Sequence, residues 1–175
     1  MSHRSAGGYN NDMALSAREL KVRRILDRYG DSLFRLACSY LRNEADAQEV
    51  VQDTILQLLR YDPDFGGDAG KEKGWLMKTA ANLSRNRLRY QKTHAAEELD
   101  DNTEEAQDPD LKFVWDAVGQ LPMRHREVIH LFYQEGYSVT EIAEIVGRRE
   151  GTVRSDLFRA RAKLKEILRD SYDFE

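Results

Sequence analysis

Apolar residues in this chain recur every three or four positions, and runs alternating apolar with polar are few, so the pattern predicts helices and leaves little for a sheet. The clearest case is 138–168. Ile142, Ala143, Ile145 and Val146 form one apolar stripe, opened by Ser138 or Thr140 as N-cap and closed by Gly147, a residue free to take positive φ. After a short turn comes a second stripe of Val153, Leu157, Ala160, Leu164, Ile167 and Leu168. Ala143, Gly147 and Val153 stand at helix-turn-helix spacing, which makes this stretch a candidate DNA reader.

The same period organises the chain upstream. Residues 15–29 predict a strongly charged helix that Gly30 ends, and Leu33, Leu36, Ala37, Tyr40 and Leu41 stripe the next one. Asn43 to Asp46 offers a turn and an N-cap. Ala47, Val50, Val51, Thr54, Ile55, Leu58 and Leu59 then form a further stripe. Pro and Gly mark 61–70 as a loop; its D-x-D lacks the spacing and terminal Glu of a calcium loop. A helix opening near Gly74-Trp75 turns Trp75, Leu76, Thr79, Ala80, Leu83 and Tyr90 inward. Beyond Pro109, Val114, Ala117, Val118 and Leu121 give a short helix that Pro122 breaks, and Val128, Ile129 and Phe132 another that ends near Gly136. The fold class is all-α, two small helical domains joined by a flexible acidic linker: a disordered tail at 1–14, domains at 15–92 and 111–172, and the linker at 93–110.

Charge changes the picture only when it is resolved along the chain. The net charge is −4, the unfavourable sign for a DNA binder. Yet 93–110 holds eight acids and no Lys or Arg, and the rest of the chain is net +4. The positive excess lies in two blocks: 71–92 has seven Lys/Arg and one acid, 148–169 eight and three. A basic block on either side of an acidic connector suggests two nucleic-acid contacts. The single Cys38 excludes an internal disulfide and a cysteine zinc site. His125 and His130, five apart, fall on different helix faces, so no metal or cofactor is expected. No signal-peptide core or membrane-length apolar run is present, and a cytoplasmic location is expected. Nucleophile–base pairs and phosphate loops are also missing, which argues against an enzyme.

Three helix faces then carry the candidate chemistry. Opposite the second stripe of the helix-turn-helix lie Gly151, Arg154, Ser155, Phe158 and Arg159, residue types that suit guanine edges, phosphates and a thymine methyl in a major groove. In the first basic block Asn82, Ser84, Arg85, Asn86, Arg87 and Arg89 bring together amides and guanidiniums able to bond unstacked bases and their phosphates. Glu49, Gln52, Asp53, Leu56 and Arg60 point away from the stripe of their helix, an acidic and amide patch around an apolar anchor that could dock a basic helical partner.

In this order and spacing the stretches LFRLACSYLRNEADAQEVVQDTILQLL, WLMKTAANLSRNRLR and LPMRHREVIHLFYQEGYSVTEIAEIVGRREGTVRSDLFRARAKL resemble a bacterial sigma factor of the extracytoplasmic-function (ECF) group, sigma-70 family, over about residues 15–170. The resemblance implies sigma domain 2 at 15–92 and sigma domain 4 at 111–172. It also implies core RNA polymerase as partner, through the β′ clamp coiled coil and the β flap tip, with promoter DNA and an anti-sigma factor. Carried over, core docking falls on Glu49, Gln52, Asp53 and Leu56. Recognition of the melted −10 strand falls on Asn82, Ser84, Arg85, Asn86 and Arg89, and the −35 duplex contacts on Arg149, Thr152, Arg154, Ser155, Phe158 and Arg159. Two positions depart from the family. Glu72 stands where an aromatic residue is frequent, and Asp156 where many members carry Arg; helical spacing sets Asp156 at the edge of the buried stripe, where it could bond a neighbouring Arg or complement the helix N-terminus. The competing expectation is a stand-alone helix-turn-helix regulator whose N-terminal domain dimerises or senses.

Overall fold

The computed structural model describes residues 15–94 and 111–171, all helices and connecting turns. The N-terminal tail and nearly all of the acidic linker lie outside the described residues. Thr93 and His94, at the linker's start, are the last residues of a helix.

Helix α1, Ala17–Leu41, starts with a capping box in which the Ser16 hydroxyl accepts from Glu19 N and Ser16 N donates to Glu19 Oε2. It runs straight through Gly30, correcting the expected break. A helical glycine costs only about 1 kcal/mol against alanine. Tyr29 and Leu33, buried on either side of it, hold the helix by packing. Helix α2, Glu44–Tyr61, is capped by Asn43, whose Oδ1 accepts from Asp46 N at 2.9 Å. Helix α3, Ala69–His94, begins five residues before the expected Gly74 because Asp68 Oδ1 accepts from the free N–H groups of Gly70 and Lys71. In the loop before it, Asp62 caps α2 and pairs with Lys21 at 2.5 Å, and Asp64 accepts from Gly66 N, so these carboxylates shape the turn.

α1, α2 and α3 pack around Ile25, Leu33, Leu36, Val50, Leu58, Leu76 and Met77, each at most 1% exposed. Each such side chain contributes about 1.5–3 kcal/mol of burial. At the position where the family often has an aromatic residue, buried Glu72 receives both terminal nitrogens of Arg24 at 2.8 Å, and the Tyr29 hydroxyl donates to it at 3.2 Å. An ion pair therefore ties α1 to α3 there. It holds the Glu72 carboxyl below its ordinary value, Arg24's hydrogen bond outweighing burial.

The second unit comprises α4, Lys112–Gly119, α5, Met123–Ile129, a π turn, His130–Gln134, α6, Val139–Val146, and α7, Glu150–Ser171. Pro122 precedes α5 at the N-cap position, where its missing N–H costs nothing. The π turn widens the end of α5 before Gly136 turns the chain at φ +72°. Ser138 and Glu141 form a second capping box, and Gly147 closes α6 at φ 68°. Ile142, Ile145, Val146, Val153, Leu157 and Ala160 fill the core between α6 and α7. The units pack on each other, α1 against α5 and α3 against α6.

Candidate nucleic-acid and partner interfaces

On α7 the outward face is built as the spacing predicts. Phe158 is 74% exposed, and Arg149, Arg154, Ser155 and Arg159 are exposed around it, with Thr152 half-buried. Arg154 is only loosely held, 3.4 Å from Glu150, and Ser155 Oγ donates to Gly151 O at 3.0 Å. The Phe158 ring stands in water between guanidiniums, so the fold gains nothing from burying it.

What fixes that face in space lies behind it. Asp156, 2% exposed, accepts from Arg124 Nε at 3.1 Å through both oxygens and from Arg148 Nη1 at 2.5 Å. Arg148 also donates to Glu127, which the Tyr40 hydroxyl of α1 reaches from the other unit. Burial pushes the Glu127 carboxyl above its ordinary value even with these donors, and it pushes Tyr40 well above its own. The expectation that Asp156 bonds a neighbouring Arg is met twice over.

On α2, Glu49, Gln52 and Asp53 are exposed and Leu56 is 61% exposed. All four share the face turned from the core. Glu49 is also held by Arg87 of α3 at 2.5 Å, and the same guanidinium grips Asp46 at 2.8 Å.

On α3 the grouping is less uniform. Asn82, Asn86 and Arg89 are exposed, and Arg89 Nη1 lies 3.4 Å from Asn86 Oδ1. Ser84 is fully buried, which corrects its assignment to the strand-reading edge. It stands four residues beyond Ala80 and seven beyond Met77, both at 0% exposure, so helical spacing turns it into the core. Tyr90, expected inward, is 63% exposed and stacks on His94. Arg85 is half-buried, donating through Nη2 to Asn82 Oδ1 at 2.6 Å and through Nη1 to Val146 O, at the end of α6, at 2.8 Å.

Sequence reasoning missed the surface between the units. Arg126, 9% exposed, donates to Ser39 O and Tyr40 O of α1 and to Gly119 O and Leu121 O of its own unit. Arg42 donates to Gly119 O at 2.8 Å. Arg35 and Lys73 approach Glu135 at 3.5 and 4.0 Å, and His130 faces it at 3.4 Å. Burial raises the Glu135 carboxyl, but His130 and the Arg35 guanidinium beside it outweigh that and leave the group below its ordinary value. The signal available in the sequence was two charged residues, Arg126 and Glu127, directly beside the apolar Val128 and Ile129.

Comparison with known proteins gives a consistent answer. The family models "Sigma-70 region 2" and "Sigma-70, region 4" match residues 25–94 and 114–164. The ECF RNA polymerase sigma factor SigM of Mycobacterium tuberculosis is 33% identical over 145 residues, 81% of this chain and 74% of that protein. SigL of the same organism is 28% identical over 90% of this chain and 94% of its own length, and RNA polymerase sigma factor SigV of Bacillus subtilis 32% over 83% and 89%. Among solved structures, the sigma factor RpoE of Bartonella quintana, in complex with the anti-sigma factor NepR, superposes with TM-score 0.69 at 24% identity, covering 85% of this chain and 97% of that one. CnrH, in complex with the cytosolic domain of CnrY, gives 0.64 at 27% identity over 86% and 89%.

Proposed function

We propose how this chain, which belongs to the ECF sigma factors of the sigma-70 family, divides promoter recognition among its helices. As a sigma factor it directs core RNA polymerase to promoters; the division of labour rests on the exposed face of α7. Phe158, flanked by Arg154, Ser155 and Arg159, enters the major groove of the −35 duplex, with Arg149 and Thr152 at the helix start. Asn82, Arg85, Asn86 and Arg89 of α3 receive the melted −10 strand, bonding base edges and phosphates. Flipping a base out of the duplex costs a few kcal/mol, which these contacts offset. Leu56, set among Glu49, Gln52 and Asp53, docks on the β′ clamp coiled coil, and the second unit meets the β flap tip. The chain supplies binding and positioning; the polymerase supplies the chemistry. Among the described residues no helix is long and apolar enough to cross a membrane.

Contacts that are individually weak gain from sharing one polymerase scaffold, so the isolated chain binds duplex weakly and as a monomer. An anti-sigma factor is its expected inhibitor, since one of the similar solved structures is a sigma factor bound to one. The test is transcription by core polymerase with variant chains. Arg154→Ala with Arg159→Ala removes −35-dependent initiation and leaves core binding intact, whereas Asp53→Arg with Leu56→Ala abolishes core binding. Retention of full −35 dependence by the first variant, or of normal core binding by the second, overturns the corresponding assignment.

A further inference from the structure

The face of α3 assigned to the melted strand continues past Arg89. At about 100° per residue, Asn82, Asn86, Arg89 and Thr93 fall within an arc of about 60° along the helix. All four are exposed. Measured from Asn82, the exposed Lys78 and Lys92 lie about 40° and 80° to one side, that of Arg89, and Tyr90 about 80° to the other. The amides thus separate a cationic flank from an aromatic one. Tyr90 is 63% exposed, and its ring stacks on that of His94 with centroids 4.0 Å apart and planes 21° from parallel. His94 is clamped in turn. Its Nδ1 sits 2.9 Å from Tyr90 O and from Thr93 Oγ1, and that hydroxyl donates to the same carbonyl at 2.8 Å.

The two rings sit on a held part of the helix. From the far side of α3, Arg87 grips both Asp46 and Glu49, and Gln91 Nε2 donates to Asp46 Oδ2 at 2.7 Å, so α2 fixes these last turns. With His94 on one face and most of the residue exposed, the other face of the Tyr90 ring is open. Along the axis Tyr90 stands about 12 Å from Asn82 at 1.5 Å per residue. That is the length of about three or four stacked nucleotides at 3.4 Å each. A strand lying on the amide row with its phosphates toward Lys78, Arg89 and Lys92 turns its bases toward Tyr90. A cationic track beside an exposed ring is the arrangement that holds single strands, and every base has a π face to offer it.

We propose that Tyr90 and His94 form a base-stacking platform that receives one nucleobase of the opened strand beyond those met by Asn82 and Asn86. The ring face makes the contact and the hydroxyl is not needed, so the platform adds grip and tolerates any base. This inference rests on the assignment of α3 to strand recognition, and the experiment separates the two.

Holoenzyme is assembled from core polymerase and the full-length chain and bound to a promoter that the wild-type chain selects from random DNA. That promoter is premelted across its downstream block, with 5-iodouracil at one unpaired position at a time. Irradiation crosslinks one position to Tyr90 or His94, identified by mass spectrometry. Tyr90→Ala loses that crosslink at unchanged helix content by circular dichroism and binds the premelted DNA about tenfold more weakly, within the range of one lost base stack. Tyr90→Phe keeps wild-type affinity, and His94→Ala, which bares the back of the ring, falls between. The slope of log affinity against log salt is unchanged in Tyr90→Ala, which loses no charge, and shallower in Lys92→Ala. Full affinity in Tyr90→Ala, or crosslinks confined to other residues, overturns the platform and leaves the sigma assignment standing. Weakened binding of Tyr90→Ala to core polymerase without DNA marks a protein contact instead and also overturns it. Premelted DNA held no better than by core alone overturns both.

Discussion

Asp156→Ala is the most informative single change for the way the DNA-facing helix is held. Asp156 is 2% exposed and accepts from two arginines that differ in setting: Arg148, with 17% of its side chain exposed, and Arg124, with 54%. The Arg124 pair is largely solvated and is worth about 0–1 kcal/mol. Breaking a buried pair costs about 3–5 kcal/mol. Here Arg148 keeps its second carboxylate, Glu127, so the loss falls to about 2–3 kcal/mol and the total to about 3. For a chain of this size that lowers Tm by about 6–12 °C. Urea unfolding followed by far-UV circular dichroism reads it, with Arg124→Ala as control, expected within about 1 kcal/mol of wild type. Asp156→Asn should match the alanine variant, because its amide NH2 would face guanidinium donors. Equal costs for Asp156→Ala and Arg124→Ala would refute the claim that the buried Arg148 contact carries the effect.

Other expectations follow from the packing and the charges. Leu56→Ala changes stability by less than about 0.5 kcal/mol because the side chain is exposed, and it weakens core polymerase binding measured by anisotropy. Gly30→Ala stabilises the chain by about 0.4–1 kcal/mol in urea, since an added Cβ would meet only Leu26 Cδ2, at 3.9 Å. For pH, Glu72 and Glu135 have folded values below the ordinary 4.5, so their stabilisation is present above that value and is lost as pH falls through their folded values. Glu127 is raised, so its contribution has the opposite sign and is lost as pH rises through its folded value. Thermal melts between about pH 5 and pH 3 should show falling stability, and Glu72→Gln should flatten the slope.

Much of the architecture was legible because periodicity and caps agree locally. Ser138, Gly147 and the stripe from Val153 to Leu168 place α6, the turn and the outward face of α7 without tertiary information. Gly30 misled because a propensity of about 1 kcal/mol loses to the packing of Tyr29 and Leu33. The start of α3 was missed because Asp68 caps it from inside a glycine-rich loop, and the breaker residues concealed the cap. Ser84 was grouped by nearness in sequence to other polar residues, where its spacing from Ala80 and Met77 should have decided its face. The contact between the units was illegible for another reason. A stripe says that a face is buried, not against what, and an arginine destined for the carbonyls of a distant helix end looks the same in sequence as one facing water.

The central claim, that the chain selects promoters for polymerase, is tested most directly by adding it to purified core RNA polymerase on a library of random DNA and mapping the transcripts. Transcripts above those of core alone are expected, starting downstream of two separated sequence blocks, with the upstream block lost in the Arg154→Ala, Arg159→Ala chain. Transcripts no more abundant or selective than those of core polymerase alone would contradict it.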